Sequence, residues 1–361
     1  MPIPQIEIVD QLSLGEERAT PEVHENSITT VARSGELSQL PILLLNVHDN
    51  CNCRCVMCDI WQRPRGREIA LAELTRHRES IAALNVQQVV LTGGEPLLHS
   101  NFEALCALLK SCDVRITLLT TGLLLSKRAD AVARWVDEII VSLDGPQAIH
   151  DGIRRVARGF ELIGSGIAAV RQLAPGMPIQ ARSTVQRANF AYLRETVAAA
   201  QRLGFDSISF LAADVSSAAF NRELLWPIER QNEVALLPCE VDALDEEVRL
   251  LIEQYSDEVS RRYIVESPEK LRRIARRFRE HTGELPPRSP LCNAPWTSAV
   301  LEVDGTVRPC FFHRKVGSTA LGSLEDAINS EDAQRFRKTL NVSSNPICQR
   351  CVCSLNYKQA G

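Results

Sequence analysis

The sequence predicts an α/β protein in which a parallel sheet carries helices on its outer face, followed by a small C-terminal domain containing a β-hairpin. Three observations carry this. Apolar runs of strand length alternate six times with stretches of helical spacing between Leu40 and Leu211. Three prolines between Glu284 and Pro290 mark a boundary. Beyond them, Asp304-Gly305 separates two short strand-like stretches, Ser298 to Val303 and Thr306 to Phe311, which is a two-residue hairpin signal.

Residues 1–39 carry scattered charges and prolines without sustained periodicity and read as an N-terminal extension. Leu40 to Val47 is the first strand, a cysteine-bearing loop follows, and Ala70 to Leu84 has helical spacing through Leu71, Leu74, Ile81 and Leu84. The remaining strands are Val86 to Leu91, Val114 to Thr120, Glu138 to Leu143, Ile179 to Val185 and Ser207 to Leu211. Between them Asn101 to Ser111, Ser126 to Val136, Phe160 to Leu173 and Phe190 to Leu203 read as helices. Ala212 to about Trp226 is irregular. Helices then cover Asp242 to Tyr255 and Ser267 to His281, the second with Ser267 as cap and Pro268 in its first turn. Arg272, Arg273, Arg276, Arg277 and Arg279 make it strongly basic; we expect a solvated face, with an acidic partner or anionic substrate as the alternative. This divides the chain into 1–39, 40–285 with its linking helices, and 286–361.

A length of 361 residues with 45% hydrophobic content is enough for one large domain and a smaller one. A net charge of -4 argues against a protein that coats nucleic acid. Met1 to Asp10 show no basic region leading into an apolar core, and no apolar run approaches a membrane span, so we expect a cytoplasmic protein. In a reducing compartment twelve cysteines point to metal rather than to disulfides.

Cys51, Cys55 and Cys58 stand in the spacing C-x3-C-x2-C, which lets three thiolates converge from one tight loop. Three thiolates suit an iron–sulfur cluster with one iron left open. Zinc also takes cysteine clusters, but a closed structural site wants four ligands and no nearby histidine supplies the fourth. Cys53 breaks the spacing and reads as a bystander. Leu91-Thr92-Gly93-Gly94-Glu95-Pro96 closes the second strand: two glycines let a ligand approach the backbone, and a carboxylate beside them can hold a cationic amine.

Together these two stretches resemble the radical S-adenosylmethionine (SAM) superfamily, whose cysteine loop binds a [4Fe-4S] cluster and whose G-G-E-P stretch binds the SAM amino group. The resemblance implies an open, partial (β/α)6 TIM-like barrel with ligands at the C-terminal ends of the strands. It places Gly93, Gly94 and Glu95 at the SAM amine, Ser142 at the ribose and the backbone around Met57 at the adenine. Thr120-Thr121-Gly122 corresponds to a strand-end T-N-G pattern, equally a plain turn.

A second cysteine set, Cys292, Cys310, Cys348 and Cys351, supplies four thiolates, enough for a fully ligated cluster or for zinc. C-x12-G-x4-C followed by C-x2-C resembles the auxiliary-cluster extension of the SPASM/Twitch subfamily in its shorter form, which implies one auxiliary [4Fe-4S] cluster. Cys353 is the substitute ligand. Asp144, after the fourth strand, and Arg182, on the fifth, are the expected catalytic residues, Arg182 by holding the SAM carboxylate. His150 and Asp151 read as a surface turn, Cys106 as a core residue, and Cys239 as an unplaced thiol in a linker. His313 and Arg314 either face substrate or cover the auxiliary cluster.

The resemblance implies reductive cleavage of SAM to a 5′-deoxyadenosyl radical and hydrogen abstraction from substrate, fed by an electron donor such as flavodoxin or ferredoxin. The expected net reaction is two-electron dehydrogenation of a small sugar- or cyclitol-like molecule, with the auxiliary cluster as electron acceptor. Crosslinking or epimerisation of a ribosomal peptide is the alternative. GTP cyclisation fits less well, because the chain ends Gln359-Ala360-Gly361 and offers more than three cysteines. A structural zinc or electron-carrier protein would leave Gly93-Gly94-Glu95-Pro96 and Ser142 without a role.

Overall fold

The structure, a computed structural model, describes residues 35–62, 66–220, 224–353 and 355–358. Most of the expected N-terminal extension and the last three residues lie outside these.

Strands β1 (Ile42–His48), β2 (Gln88–Gly93), β3 (Arg115–Thr120), β4 (Glu138–Ser142), β5 (Ile179–Val185) and β6 (Ser207–Ala212) lie side by side in chain order, each parallel to the next. Helices Phe102–Lys110, Leu125–Trp135, Gly159–Leu173 and Leu193–Leu203 return the chain between them. Strand alternation splits the residues into two rows. Leu43, Leu45, Val89, Leu91, Ile116, Leu118, Ile139 and Val141 are fully buried in the main core. Ile42, Leu44, Val90, Leu119 and Ile140 point the other way and line a cavity of about 690 Å³. Fully burying each such aliphatic side chain is worth roughly 1.5–3 kcal/mol, so the core row fixes the register. A slip of one residue would drive Glu138, Gln180 and Arg182 into the core.

The sheet does not stop at six strands. Ser298–Leu301 (β7) runs parallel to β1, pairing Ile42 with Ser298 through Leu45 with Leu301, and Thr306–Arg308 (β8) and Gly317–Ser318 (β9) continue antiparallel. The nine strands form one sheet in the order β6-β5-β4-β3-β2-β1-β7-β8-β9. All four β7 residues are buried, and pairing there satisfies the backbone edge of β1. The hairpin expected in the C-terminal domain is present at Gly305 (φ +80°), but its first strand belongs to the barrel sheet.

Three further differences are local. The helix expected over Ala70 to Leu84 breaks at His77 into Leu71–Arg76 and Arg78–Ala83. A helix over Gln147–Arg154 appears where a turn was expected, because only Ile149 and Ile153 mark its apolar face. The helix expected from Asp242 starts at Pro238, which puts Cys239, exposed, in its first turn. Ser267 caps its helix as expected, accepting from Lys270 N at 3.3 Å.

Residues near both limits of the described chain are tied down by side-chain hydrogen bonds. Asn329 exchanges hydrogen bonds with both backbone groups of Leu37 at 2.8 and 2.9 Å, and Tyr357 Oη donates to Gln87 Oε1 at 2.8 Å. Among the described residues no helix is long and apolar enough to cross a membrane.

Candidate functional site

The cysteine loop sits on the ends of β1 and β2. Gly94 N donates to His48 O at 2.7 Å and Glu95 N to Asn50 O at 2.8 Å, so the Gly-Gly turn lies directly against the loop backbone. A Cβ on Gly94 would stand 1.9 Å from Asn50 O, and one on Gly93, whose φ is +125°, 2.4 Å from His48 O. These glycines are therefore required by the chain's own packing before any ligand arrives. Glu95 is fully buried and its carboxylate accepts four donors: Leu97 N (3.0 Å), Thr120 Oγ1 (2.8 Å), Thr121 N and Thr121 Oγ1 (both 2.7 Å). Burial pushes its pKa up, and these donors hold it down. The carboxylate thus ties the end of β2 to the end of β3. Thr121 Oγ1 also lies 3.0 Å from Asn52 Oδ1, and its single proton serves one acceptor at a time. An ammonium group can take the place that this hydroxyl leaves.

The loop is anchored from beneath by the unforeseen helix. Arg54 N and Val56 N each donate at 3.1 Å to the carbonyls of Arg154 and Ile153, which end that helix. Arg154 Nε donates to Asp144 Oδ2 at 2.6 Å and Arg154 Nη1 reaches Cys55 Sγ at 3.6 Å. Asp144, expected to be catalytic, is fully buried, and its other oxygen accepts Thr184 N at 2.9 Å. Its carboxylate is a counter-charge for Arg154 and does not line the cavity. Cys53, expected to be a bystander, is 1% exposed; its thiol donates to Cys55 and, with Arg154, brings Cys55 down to about 6 against the effect of burial. Burial pushes Cys58 up to about 12. Met57 is half-buried against the core.

His150 also belongs to this anchor rather than to a surface turn. It is 1% exposed, its Nδ1 accepts Asp144 N at 3.2 Å, and burial presses its pKa down to about 4. Its folded pKa lies below the unfolded value of about 6.5, so the stability it contributes is complete above that pH and is lost as pH falls toward 4. We expect this group to lower the unfolding free energy by on the order of 1 kcal/mol between pH 7.5 and pH 5.5. Denaturant titrations at both pH values should show the drop in wild type and a smaller one in His150→Asn, which keeps an acceptor without the titration.

Arg182 points into the cavity, as core-facing Ala181 requires, and its register partner is Ser142 at the end of β4. Its Nε donates to Ser209 Oγ at 3.1 Å, and among the described residues its two Nη groups have no acceptor. The basic helix, Pro268–Thr282, does not present a plain solvated face: Lys270, Arg273, Arg276 and Arg277 line the same cavity, while Arg279 pairs with Asp242, Asp245 and Glu284.

The second cysteine set gathers at the far wall. Cys292, Cys310, Cys351 and Cys353 line the cavity, and Cys348 lies behind them with His313 Nε2 3.3 Å from its Sγ. Burial pushes Cys348 up to about 12 and Cys353 to about 11, and neighbouring Cys310 and Cys292 raise both further, while Arg182 draws Cys353 the other way. Crowded thiols that resist ionisation beside one another are relieved by a cationic cluster. His313, 4% exposed and packed on Phe336 at 4.8 Å between ring centres, covers this set instead of facing the cavity. Cys239 does not line the cavity and Cys106 is a core residue.

Residues 45–212 match the radical SAM superfamily, and residues 292–352 match SPASM, an iron–sulfur cluster-binding domain, together more than half of the chain. The chain belongs to the radical SAM superfamily. Its cofactors are SAM and two [4Fe-4S] clusters, as this pairing of radical SAM and SPASM regions implies. The radical SAM chain is 29% identical over 199 residues to the AdoMet-dependent heme synthase of Methanosarcina barkeri, covering 51% of this chain and 56% of that protein. It is 31% identical over 157 residues to a GTP 3',8-cyclase of Pelotomaculum thermopropionicum, covering 41% of this chain and 48% of that protein. The chain thus spans about half the length of these curated relatives. Its fold is similar to that of Streptococcus suis SuiB bound to S-adenosylmethionine (TM-score 0.62, 13% identity, 91% of this chain and 76% of that one). It is also similar to anSMEcpe with bound AdoMet and Cp18Cys peptide (TM-score 0.61, 15% identity, 87% and 92%).

The residues present fit these groups. Asn52 Nδ2, between the cysteine loop and Thr121, is buried without a partner among the described residues, a donor left for a ligand. Among those residues no three Cys, His, Asp or Glu side chains gather as a site for one ion; a four-iron cluster takes its thiolates one per iron. Sequence reasoning missed Arg154, Asn52 and the second Cys55 partner, Cys53. Only the cysteine count around Cys53 was a visible signal.

Proposed function

We propose that this radical SAM enzyme is an oxidoreductase that removes two electrons from a small molecule held in the cavity, the second cluster accepting the electron left on the substrate. The cavity carries the reading. It is lined by Arg182, whose register partner is Ser142 at the end of β4, and by Cys292, Cys310, Cys351 and Cys353, so its occupant lies against the second cysteine set. About 690 Å³ suits a small molecule, and an electron acceptor in the wall suits an oxidation.

SAM and the first cluster, when bound, supply a 5′-deoxyadenosyl radical that takes one hydrogen atom. Cys51, Cys55 and Cys58 hold that cluster on the loop anchored by Arg154. Gly93, Gly94, Glu95, Ser142 and the backbone at Met57 receive SAM, and Arg182 presents its Nη pair to the carboxylate. Cys292, Cys310, Cys348 and Cys351 hold the second cluster. The apolar rows of β1 to β4 keep water from the substrate. Glu138, Glu266 and Glu280, which line the cavity, replace Asp144 as candidates to take a substrate hydroxyl proton.

The test is anaerobic incubation with SAM, a limiting one-electron reductant, and either the dialysable small-molecule fraction or the peptide fraction of a cell extract. We expect small molecules to stimulate 5′-deoxyadenosine formation beyond one equivalent per electron supplied, with a product lighter by two hydrogens. Stimulation by peptides alone, or one electron consumed per turnover, would overturn the reading.

A further inference from the structure

His313 is buried at the second cysteine set and takes no part in the reaction proposed above. It is 4% exposed, and its ring stands edge-on to Phe336 with 4.8 Å between centres and 66° between planes. Among the described residues the ring has one hydrogen-bond partner, Cys348 Sγ, 3.3 Å from Nε2. The surrounding backbone holds the ring in place. Arg308 Nη1 donates to His313 O at 3.2 Å while Arg308 Nε pairs with Glu302 at 3.1 Å, and the N–H groups of Phe312 and His313 both donate to Cys310 Sγ. The other side of the contact is fixed as well. Asn345 Oδ1 accepts Ile347 N at 3.0 Å and Cys348 N at 3.2 Å, capping the short Pro346–Gln349 helix that carries Cys348. Cys353, the spare thiol of this set, lies in an irregular stretch and lines the cavity, and among the described residues its Sγ has no hydrogen-bond donor.

We infer that His313 is a positioning residue for the second cluster: its Nε2–H donates to the Cys348 thiolate, which selects Cys348 over Cys353 as the fourth ligand and makes the cluster a better electron acceptor. The inference rests on the reading above, in which Cys292, Cys310, Cys348 and Cys351 hold a cluster that accepts the substrate's electron. A thiolate has lone pairs and no proton, so only the histidine tautomer protonated at Nε2 makes this bond. A hydrogen bond to a charged acceptor is roughly twice as strong as a neutral one, and it strengthens as the sulfur gains negative charge. It therefore stabilises the reduced state more than the oxidised one, which is how hydrogen bonds to sulfur raise a cluster's potential. His313 itself exchanges nothing: one electron passes from the substrate radical to the cluster, and the proton stays on Nε2.

The rival explanation is that His313 only fills space against Phe336. Redox titration of the second cluster alone, in the full-length chain carrying Cys51/Cys55/Cys58→Ala and followed by electron paramagnetic resonance and iron content, separates the two. We expect His313→Phe, which keeps an aromatic ring and loses the donor, to favour the oxidised state about tenfold, or about 59 mV for a one-electron couple. His313→Gln, whose amide N–H reaches a similar point, should recover most of that shift. Both should keep about four irons, and so should Cys353→Ala in the same background. Iron lost from His313→Phe and kept by His313→Gln would equally support the donor's role in holding Cys348. An unchanged potential in His313→Phe, a Gln variant displaced as far as the Phe variant, iron lost equally from both, or iron lost from Cys353→Ala overturns the inference. Because the potential is read without SAM or substrate, its failure is distinct from failure of the oxidation.

Discussion

Replacing Cys51, Cys55 and Cys58 together by alanine is expected to lower the anaerobically reconstituted protein from about eight irons per chain to about four, and to abolish formation of 5′-deoxyadenosine. The three thiols share one loop whose Arg54 and Val56 amides donate to the end of the Gln147–Arg154 helix and whose Asn50 carbonyl accepts Glu95 N, so removing all three takes away the whole three-thiol face. A single substitution is a weaker test, since Cys53 is buried against Cys55 and offers a replacement sulfur. The matching variant, Cys292→Ala/Cys310→Ala, should also keep about four irons but still cleave SAM, because the first cluster and the SAM contacts are untouched. Iron and sulfide analysis with product chromatography reads both. Zinc in place of iron, or SAM cleavage surviving the triple change, would sink the assignment of the first set.

Arg154→Ala is expected to cost about 3–5 kcal/mol of stability, because it leaves the Asp144 carboxylate charged in a site with no exposure and removes its only cationic hydrogen-bond partner among the described residues. It also deletes the contact to Cys55 and loosens the helix end that accepts Arg54 N and Val56 N. Iron retained after gel filtration should fall with stability. Asp144→Asn/Arg154→Met, which removes both charges and keeps the volume, should recover most of the loss in denaturant titrations. A loss under about 1 kcal/mol in Arg154→Ala, with iron unchanged, would show that the pair is not the anchor described here.

What could be read in advance was local. Cys51, Cys55 and Cys58 declare themselves because a shared loop needs fixed spacing, and β5 was placed to the residue because apolar and polar side chains alternate from Ile179 to Val185. Ser267 announced its helix by being a short hydroxyl before proline. What stayed hidden depends on partners far along the chain. Arg154 and Cys55 are 99 positions apart. Asp144 looked reactive because a carboxylate at a strand end so often is; only its pairing with Arg154 shows it to be structural. The basic helix looked solvated because pattern alone does not reveal that a cavity lies behind it. Ser298–Leu301 read as a hairpin arm, since nothing in four residues tells which edge will receive them.

That last strand changes what kind of joint the proline-rich stretch before it is. Because β7 is laced along β1, the first cysteine loop and the segments that carry Cys292 and Cys310 are joined through one continuous ladder rather than set on two bodies joined by a tether. The spacing between the first loop and Cys292 and Cys310 is then set by the sheet, insensitive to how Glu284 to Pro290 bends. A protein cut at those prolines would lose its seventh parallel strand and bare the apolar flank of β1, a sticky edge ready to pair with another copy.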